Sequence, residues 1–121
     1  MQDFRRLEVY RRSKALAVDV RKNTSAFPRT GYGSLKDQTI RAAEAIPFNI
    51  AEGCGARTQK EFARFLDIAI KSTCELEAEL ELIDEYGIMK ATPTKPLAEE
   101  TVEIRRMLCG LRSRVLKSPD K

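Results

Sequence analysis

The chain has 121 residues, a formal net charge of +4 and no histidine. This length suits one domain with a sizeable core and is too short for two. Without histidine, the usual general base and the histidine-containing metal motifs of helical bundles are lacking, so the composition disfavours an enzyme and predicts no cofactor or metal. No apolar run is long enough for a membrane span or a signal peptide, so we expect a soluble cytoplasmic protein.

The first two predicted helices cover residues 7–26 and 34–53. In the first, apolar residues such as Leu16 and Val20 recur at helical spacing among arginines. In the second, Ser34 is suited to cap the start, and Gly53 is expected to end the helix as a left-handed residue. Pro47 lies inside this helix and removes one backbone hydrogen bond, so we expect it to bend the helix.

The third and fourth predicted helices cover residues 58–87 and 95–116. Thr58 and Glu61 form a capping box at the start of the third, which is expected to end near Gly87. Pro96 suits the first turn of the fourth, and the tail 117–121 is expected to be flexible. Four amphipathic helices with short connections predict a single all-α domain over residues 1–121, folded as an antiparallel up-down-up-down four-helix bundle.

Antiparallel register between helices two and three predicts a polar layer. With the loop centred near residue 56, Glu75 faces Asp37 and Gln38, and Arg41 lies one turn away. We therefore predict a contact of Glu75 with Arg41 or Gln38, and Ser72 adds to the same layer. We interpret such a contact mainly as a device that fixes helix register, because partly buried ion pairs more often specify packing than catalyse a reaction.

Asn49 and Glu52 are a second predicted polar pair, one helical turn apart near the end of helix two. Negative charge is unfavourable at a helix C-terminus, so a cation across the loop, from Arg57, Lys60 or Arg64, is expected beside Glu52. Asn49 is suited to hydrogen bond a carbonyl freed by Pro47. The alternative is that this corner lines a subunit interface or a ligand pocket.

Charge is unevenly distributed along the chain. Residues 1–30 hold eight Lys or Arg against three acids, whereas residues 75–85 hold six acids and no base. The first and last helices of an up-down bundle are neighbours, so their cations are expected to form one basic face. Such a face suits the phosphate backbone of RNA or another polyanion. The candidate contacts are Arg5, Arg6, Arg11, Arg12, Arg105, Arg106 and Arg112.

Two alternatives use the same charge pattern. The basic helices of one copy can meet the acidic helix of the next in a head-to-tail ring, or the chain can be a protein-interaction scaffold with no affinity for nucleic acid. A bundle that binds a small molecule or a metal is the least favoured, because no inward carboxylates converge. The cysteines Cys54, Cys74 and Cys109 are an odd number without close spacing, so we expect buried free thiols.

Several segments together resemble a known family. They are the runs at 4–10, 27–28, 32–33, 38–43, 46–53 and 72–76, of which Asn49-Ile50-Ala51-Glu52-Gly53 is the most specific. The chain resembles the bacterial four-helix-bundle proteins encoded in intervening sequences of 23S ribosomal RNA genes. The resemblance covers about residues 4–116. It implies a left-handed up-down bundle, a homo-oligomer that is often a pentamer, and a relation to accessory proteins of diversity-generating retroelements that bind RNA.

Overall fold

A computed structural model describes residues 2–89 and 94–120. A single 3₁₀ turn, Phe4–Arg6, leads into the first helix, and four α-helices account for most of the described residues. The helices are α1 Glu8–Thr24, α2 Gly33–Cys54, α3 Gln59–Tyr86 and α4 Thr94–Lys117. Met1 and Lys121, the ends of the predicted domain, lie outside the described residues.

The helices form a ring in which each packs against two others. Helix α2 packs against α1 and α3, and α4 packs against α3 and α1, whereas no Cα atoms of the diagonal pairs lie within 8 Å of each other among the described residues. Ion pairs join Asp67 to Arg112 and Glu77 to Arg105, so α3 and α4 run antiparallel. The prediction of an all-α four-helix bundle is therefore confirmed.

One apolar core lies along the axis of the bundle. Each helix contributes residues from a single stripe, and the most buried of them are Leu16, Val20, Ala43, Ile46, Ile50, Cys54, Leu66, Ala69, Leu76, Leu80, Ile83, Ile104 and Leu108. The buried hydroxyl groups interrupt this core at little cost, because each donates a hydrogen bond to a carbonyl of its own helix. The donors are Ser13, Thr24, Thr39, Ser72, Thr73 and Thr101.

Both ends of α3 agree with the sequence prediction, whereas both ends of α2 differ from it. The Thr58 hydroxyl accepts from the Glu61 N–H at 3.1 Å, and Gly87 follows α3 in the left-handed conformation, with φ 67°. Ser34 does not cap α2, because the helix begins one residue earlier and the Ser34 hydroxyl accepts from the Gln38 side chain instead. Beyond α4, the Asp120 carboxylate accepts from the Gln59 N–H at 2.6 Å, and flexibility of the tail remains a prediction.

Gly53 does not end α2, contrary to the sequence prediction. The helix continues to Cys54, and the only described glycines with positive φ are Gly31 and Gly87. A Cβ atom on Gly53 would lie 2.8 Å from Phe62 Cδ1 and 3.1 Å from Phe65 Cβ. Gly53 is therefore required by close contact between α2 and α3, and its conformation is ordinary for a helix.

Pro47 lies within α2, which continues unbroken on both sides of it. Asn49 does bond a backbone carbonyl near it, as expected, but the acceptor is different. Its side-chain amide donates to the Ala45 carbonyl at 2.8 Å, four residues back, whereas the carbonyl that Pro47 leaves free is that of Ala43. The Asn49 amide therefore bonds a carbonyl two residues away from the one that Pro47 leaves free.

Substitution of Gly53 tests the close contact between α2 and α3. We expect Gly53→Ala to destabilise the fold, because overpacking costs about 1–3 kcal/mol and exceeds the gain in helix propensity of about 1 kcal/mol. Gly33→Ala is the matched control, since a Cβ atom there meets nothing within 4 Å. Urea denaturation measures both. A Gly53→Ala variant as stable as the wild type contradicts the packing role.

Candidate nucleic-acid interface

Three of the seven candidate arginines are held in ion pairs between helices. Arg12 in α1 makes a two-pronged contact with Glu100 in α4, with Nε 2.9 Å from Oε2. Arg105 lies 2.8 Å from Glu77 in α3, and Arg112 bonds Asp67 in α3. The carboxylates partly offset these charges, and all three guanidinium groups are only partly exposed, so these residues mainly connect helices.

The other four candidates are solvent-exposed. Arg5 is 3.5 Å from Asp3, and Arg106 is 3.7 Å from Glu103 with 77% of its side chain exposed. Such long, exposed contacts neutralise little charge. Arg11 donates to a backbone carbonyl at 2.9 Å and keeps its charge, and Arg6 makes no ion pair with any described residue. These four arginines therefore remain accessible to a ligand.

The cations concentrate toward one end of the bundle, which we call the basic end. It is the end where α1 and α3 begin and where α2 and α4 end. The half of the bundle nearest to it, residues 2–15, 44–72 and 106–120, holds thirteen Lys or Arg and seven Asp or Glu. The rest of the described chain holds seven and eleven. The charge asymmetry thus follows the bundle axis as well as the helix faces.

Two surface grooves at the basic end contain Arg57 and Arg114, which are not among the seven candidate contacts. A groove of about 360 Å³ between α1 and α4 is lined by Leu7, Val9, Arg106 and Arg114. A second, of about 470 Å³, lies across the end of the bundle and contains Arg57 and, again, Arg114. Both residues are exposed and make no ion pair within the described part of the chain. The antiparallel packing brings these two residues, which are far apart in sequence, to the same groove.

The predicted polar layer around Glu75 does not form. Glu75 and Arg41 are both exposed, and no ion pair links them among the residues that the structure describes. Gln38 bonds Ser34 at 3.3 Å, and the buried Ser72 hydroxyl bonds the Ile68 carbonyl of its own helix. The register estimate placed these residues at similar heights, but their side chains point into solvent or back to their own helix, so the prediction is wrong.

The predicted compensation of Glu52 is also absent. Glu52 is exposed, and neither Arg57, Lys60 nor Arg64 forms an ion pair with it. Arg64 instead places its guanidinium 4.6 Å from the centre of the Phe65 ring. Water screens an exposed carboxylate at a helix end, and this removes the need for a specific cation.

Glu79 is a buried acid that was not predicted from the sequence. It sits in the acidic stretch of α3, yet only 7% of the residue is exposed and neither carboxylate oxygen has a hydrogen-bond partner among the described residues. Burial, and then the nearby charge of Glu75, raise its pKa to about 7. The sequence does place Glu79 on the same apolar stripe as Leu76, Leu80 and Ile83, which indicates burial. The neighbouring acids obscured this indication.

The cysteines differ in exposure. Cys54 is buried, and burial raises the pKa of its thiol to about 11, which keeps it protonated and suits a packing role. Cys74 and Cys109 are exposed, so the prediction of buried thiols is wrong for both. Their positions lie outside the core stripes of α3 and α4.

The described residues contain no cluster of Cys, Asp or Glu suited to hold a metal ion. Among the same residues, no helix is both long and apolar enough to cross a membrane. Fold and charge together define the class of the protein as a four-helix bundle with a basic end.

A family model is more specific. The model of the 23S rRNA-intervening sequence protein matches residues 5–110, and the chain belongs to this family. No curated protein matches the chain.

Stability as a function of pH tests the environment of Glu79. Its folded pKa of about 7 exceeds the ordinary value of 4.5, so the folded state retains a proton that the unfolded state has lost between these pH values. Wild-type stability therefore falls as pH rises through this window. We expect Glu79→Gln to be more stable than the wild type by up to about 3 kcal/mol at pH 8, and by much less at pH 4.5.

The matched control is Glu81→Gln, because Glu81 is an exposed acid on the same helix. Urea denaturation at several pH values measures all three proteins. If the difference between Glu79→Gln and wild type is the same at pH 4.5 and pH 8, Glu79 titrates as an ordinary exposed acid and its burial is contradicted.

Proposed function

We propose that this protein is a non-enzymatic RNA-binding bundle of the cytoplasm, whose basic end contacts the phosphate backbone. The observation that carries the proposal is the concentration of accessible cations there. Arg6, Arg11, Arg57 and Arg114 are exposed and have no ion pair within the described residues. The lack of histidine supports binding over catalysis, and the free thiols suit a reducing compartment.

The binding surface differs from the basic face expected from the sequence. Arg12, Arg105 and Arg112 are occupied between helices, so a phosphate would have to break an existing ion pair to reach them. Among the accessible arginines, Arg57, Arg106 and Arg114 line two grooves at the basic end, where a backbone can contact more than one of them at once. Each cation that neutralises a phosphate releases a counterion, which makes affinity strongly dependent on salt.

An RNA titration at low and physiological salt tests the proposal. The triple variant Arg6→Gln, Arg11→Gln, Arg114→Gln is expected to bind more weakly. It should also lower the slope of log affinity against log salt by about 0.7–0.9 for each phosphate that the variant no longer neutralises. Fluorescence anisotropy with a labelled RNA gives both quantities.

The matched control carries Arg12→Gln and Arg112→Gln. It removes two charges from the same half of the bundle, but from residues already held in ion pairs. We expect it to lose stability in urea denaturation while retaining the salt slope of the wild type. Binding that is absent, or that does not weaken with salt, refutes the RNA function. Equal slopes for the triple variant and the wild type refute this location.

A second candidate is a homo-oligomeric scaffold, which the surface of α3 favours. Leu82 and Tyr86 are 42% and 55% exposed, lie one turn apart and are surrounded by acids. Large apolar side chains in such a position often mark a protein contact. The basic end of a second copy offers the opposite charge, as a head-to-tail assembly requires.

Solution mass tests this second candidate. The wild type is expected to have the mass of several chains, and Leu82→Glu to shift it toward a single chain. Leu116→Glu is the control, because Leu116 is similarly exposed, at 47%, on α4. Sedimentation velocity measures all three. A wild type that sediments as one chain at high concentration excludes the scaffold.

A further inference from the structure

An apolar groove between α1 and α2 is separate from the grooves at the basic end. Its volume is about 390 Å³, and its walls include Tyr10, Ala17, Val18, Pro47 and Phe48. The Phe48 ring is 63% exposed, the highest value among the exposed large apolar residues, and Val18 is 48% exposed. No other aromatic ring of the described chain pairs with Phe48. The face of the Phe48 ring is therefore free to stack on an aromatic ligand.

Cations line the α1 side of this groove. Lys14 and Lys22 are exposed and have no ion pair with a described residue, and the Lys14 ammonium lies 5.7 Å from the centre of the Tyr10 ring. The two lysines are two turns apart on α1, about 12 Å along its axis. Arg21 belongs to the same rim, but it contacts Glu44 at 3.0 Å. The groove thus combines an aromatic surface with two accessible positive charges.

We propose that this groove binds unpaired bases of RNA, with Phe48 as the stacking surface and Lys14 and Lys22 contacting the phosphates beside the stacked bases. The proposal rests on the proposed RNA function and specifies its substrate as a single-stranded segment. Arg11, one turn before Lys14, continues the cationic outer face of α1 toward the basic end. A strand that leaves the groove along α1 therefore meets the arginines described above.

The chemistry of the groove favours a single strand over a duplex. The bases of a duplex are already stacked on their neighbours, so an exposed ring gains nothing from them. An unpaired base offers its face to an aromatic side chain, whereas the lysines need only the backbone. Such recognition tolerates many sequences, because every base has an aromatic face.

A protein partner is less well matched to the same groove. A stable protein interface buries about 800 Å² on each partner. Val18 and Phe48 are the exposed large apolar residues of this groove, and the rim next to them is charged. Two apolar side chains can contact one or two bases, but they are too few to form the apolar core of a stable protein interface.

The lack of tryptophan allows a direct test. Phe48→Trp introduces a single indole into the groove, whose fluorescence is quenched when a base stacks on it. The probes are a mixed-sequence single-stranded RNA, the same strand annealed to its complement, and an abasic strand of equal length. We expect quenching by the first probe and little by the other two.

Affinity measurements complete the test. Phe48→Leu keeps an apolar side chain but removes the ring, so we expect it to bind single-stranded RNA about tenfold more weakly and the abasic strand as the wild type does. Phe48→Tyr retains stacking and should bind as the wild type. Tyr86→Leu is the matched control, because it removes an exposed ring from the acidic side of α3. Phe48 is exposed, so circular dichroism should show the same helical fold for every variant.

The possible results separate this inference from the RNA function itself. If Phe48→Leu and wild type bind single strands equally, or if the abasic strand quenches the indole, the stacking site is overturned while binding at the basic end stands. If the wild type binds no RNA, both proposals fail. If Phe48→Leu changes the solution mass but not the affinity, the groove is a contact between copies and the stacking site is overturned.

Discussion

The close approach of α2 and α3 at Gly53 is the contact on which the rest of the bundle depends. Because residue 53 has no side chain, the ring of Phe62 and the Cβ atom of Phe65 lie directly against the α2 backbone. This fixes α2 and α3 against each other immediately after their connecting turn, and α1 and α4 then pack on the pair. Gly53 is the last residue of the segment Asn49-Ile50-Ala51-Glu52-Gly53, and its place in the structure gives that segment a packing role.

Ion pairs between helices decide which cations are available for a ligand. Arg12, Arg105 and Arg112 connect α1 or α3 to α4, where partial burial makes their contacts more effective than those of fully exposed residues. The same packing leaves Arg57 and Arg114 together beside one groove at the basic end. Stability and the proposed RNA binding thus depend on different arginines.

The outer face of α1 joins the two parts of the proposed RNA surface. One part is the basic end, which supplies charge, and the other is the groove at Phe48, which supplies an aromatic ring. Charge alone attracts any polyanion, whereas stacking distinguishes unpaired bases from a duplex. In the other half of the bundle, acids outnumber cations, and one of these acids, Glu79, is buried near Glu75.

The sequence by itself determined the four helices and their antiparallel order, because apolar spacing, the Thr58 cap and Gly87 act locally. It also indicated the excess of positive charge. Only the tertiary structure decided the role of Gly53, the burial of Glu79, the exposure of Phe48 and the division of the arginines into paired and accessible. These depend on the rotation of each helix about its axis, to within a fraction of a turn. Residue spacing does not set that rotation, and packing of neighbouring side chains does.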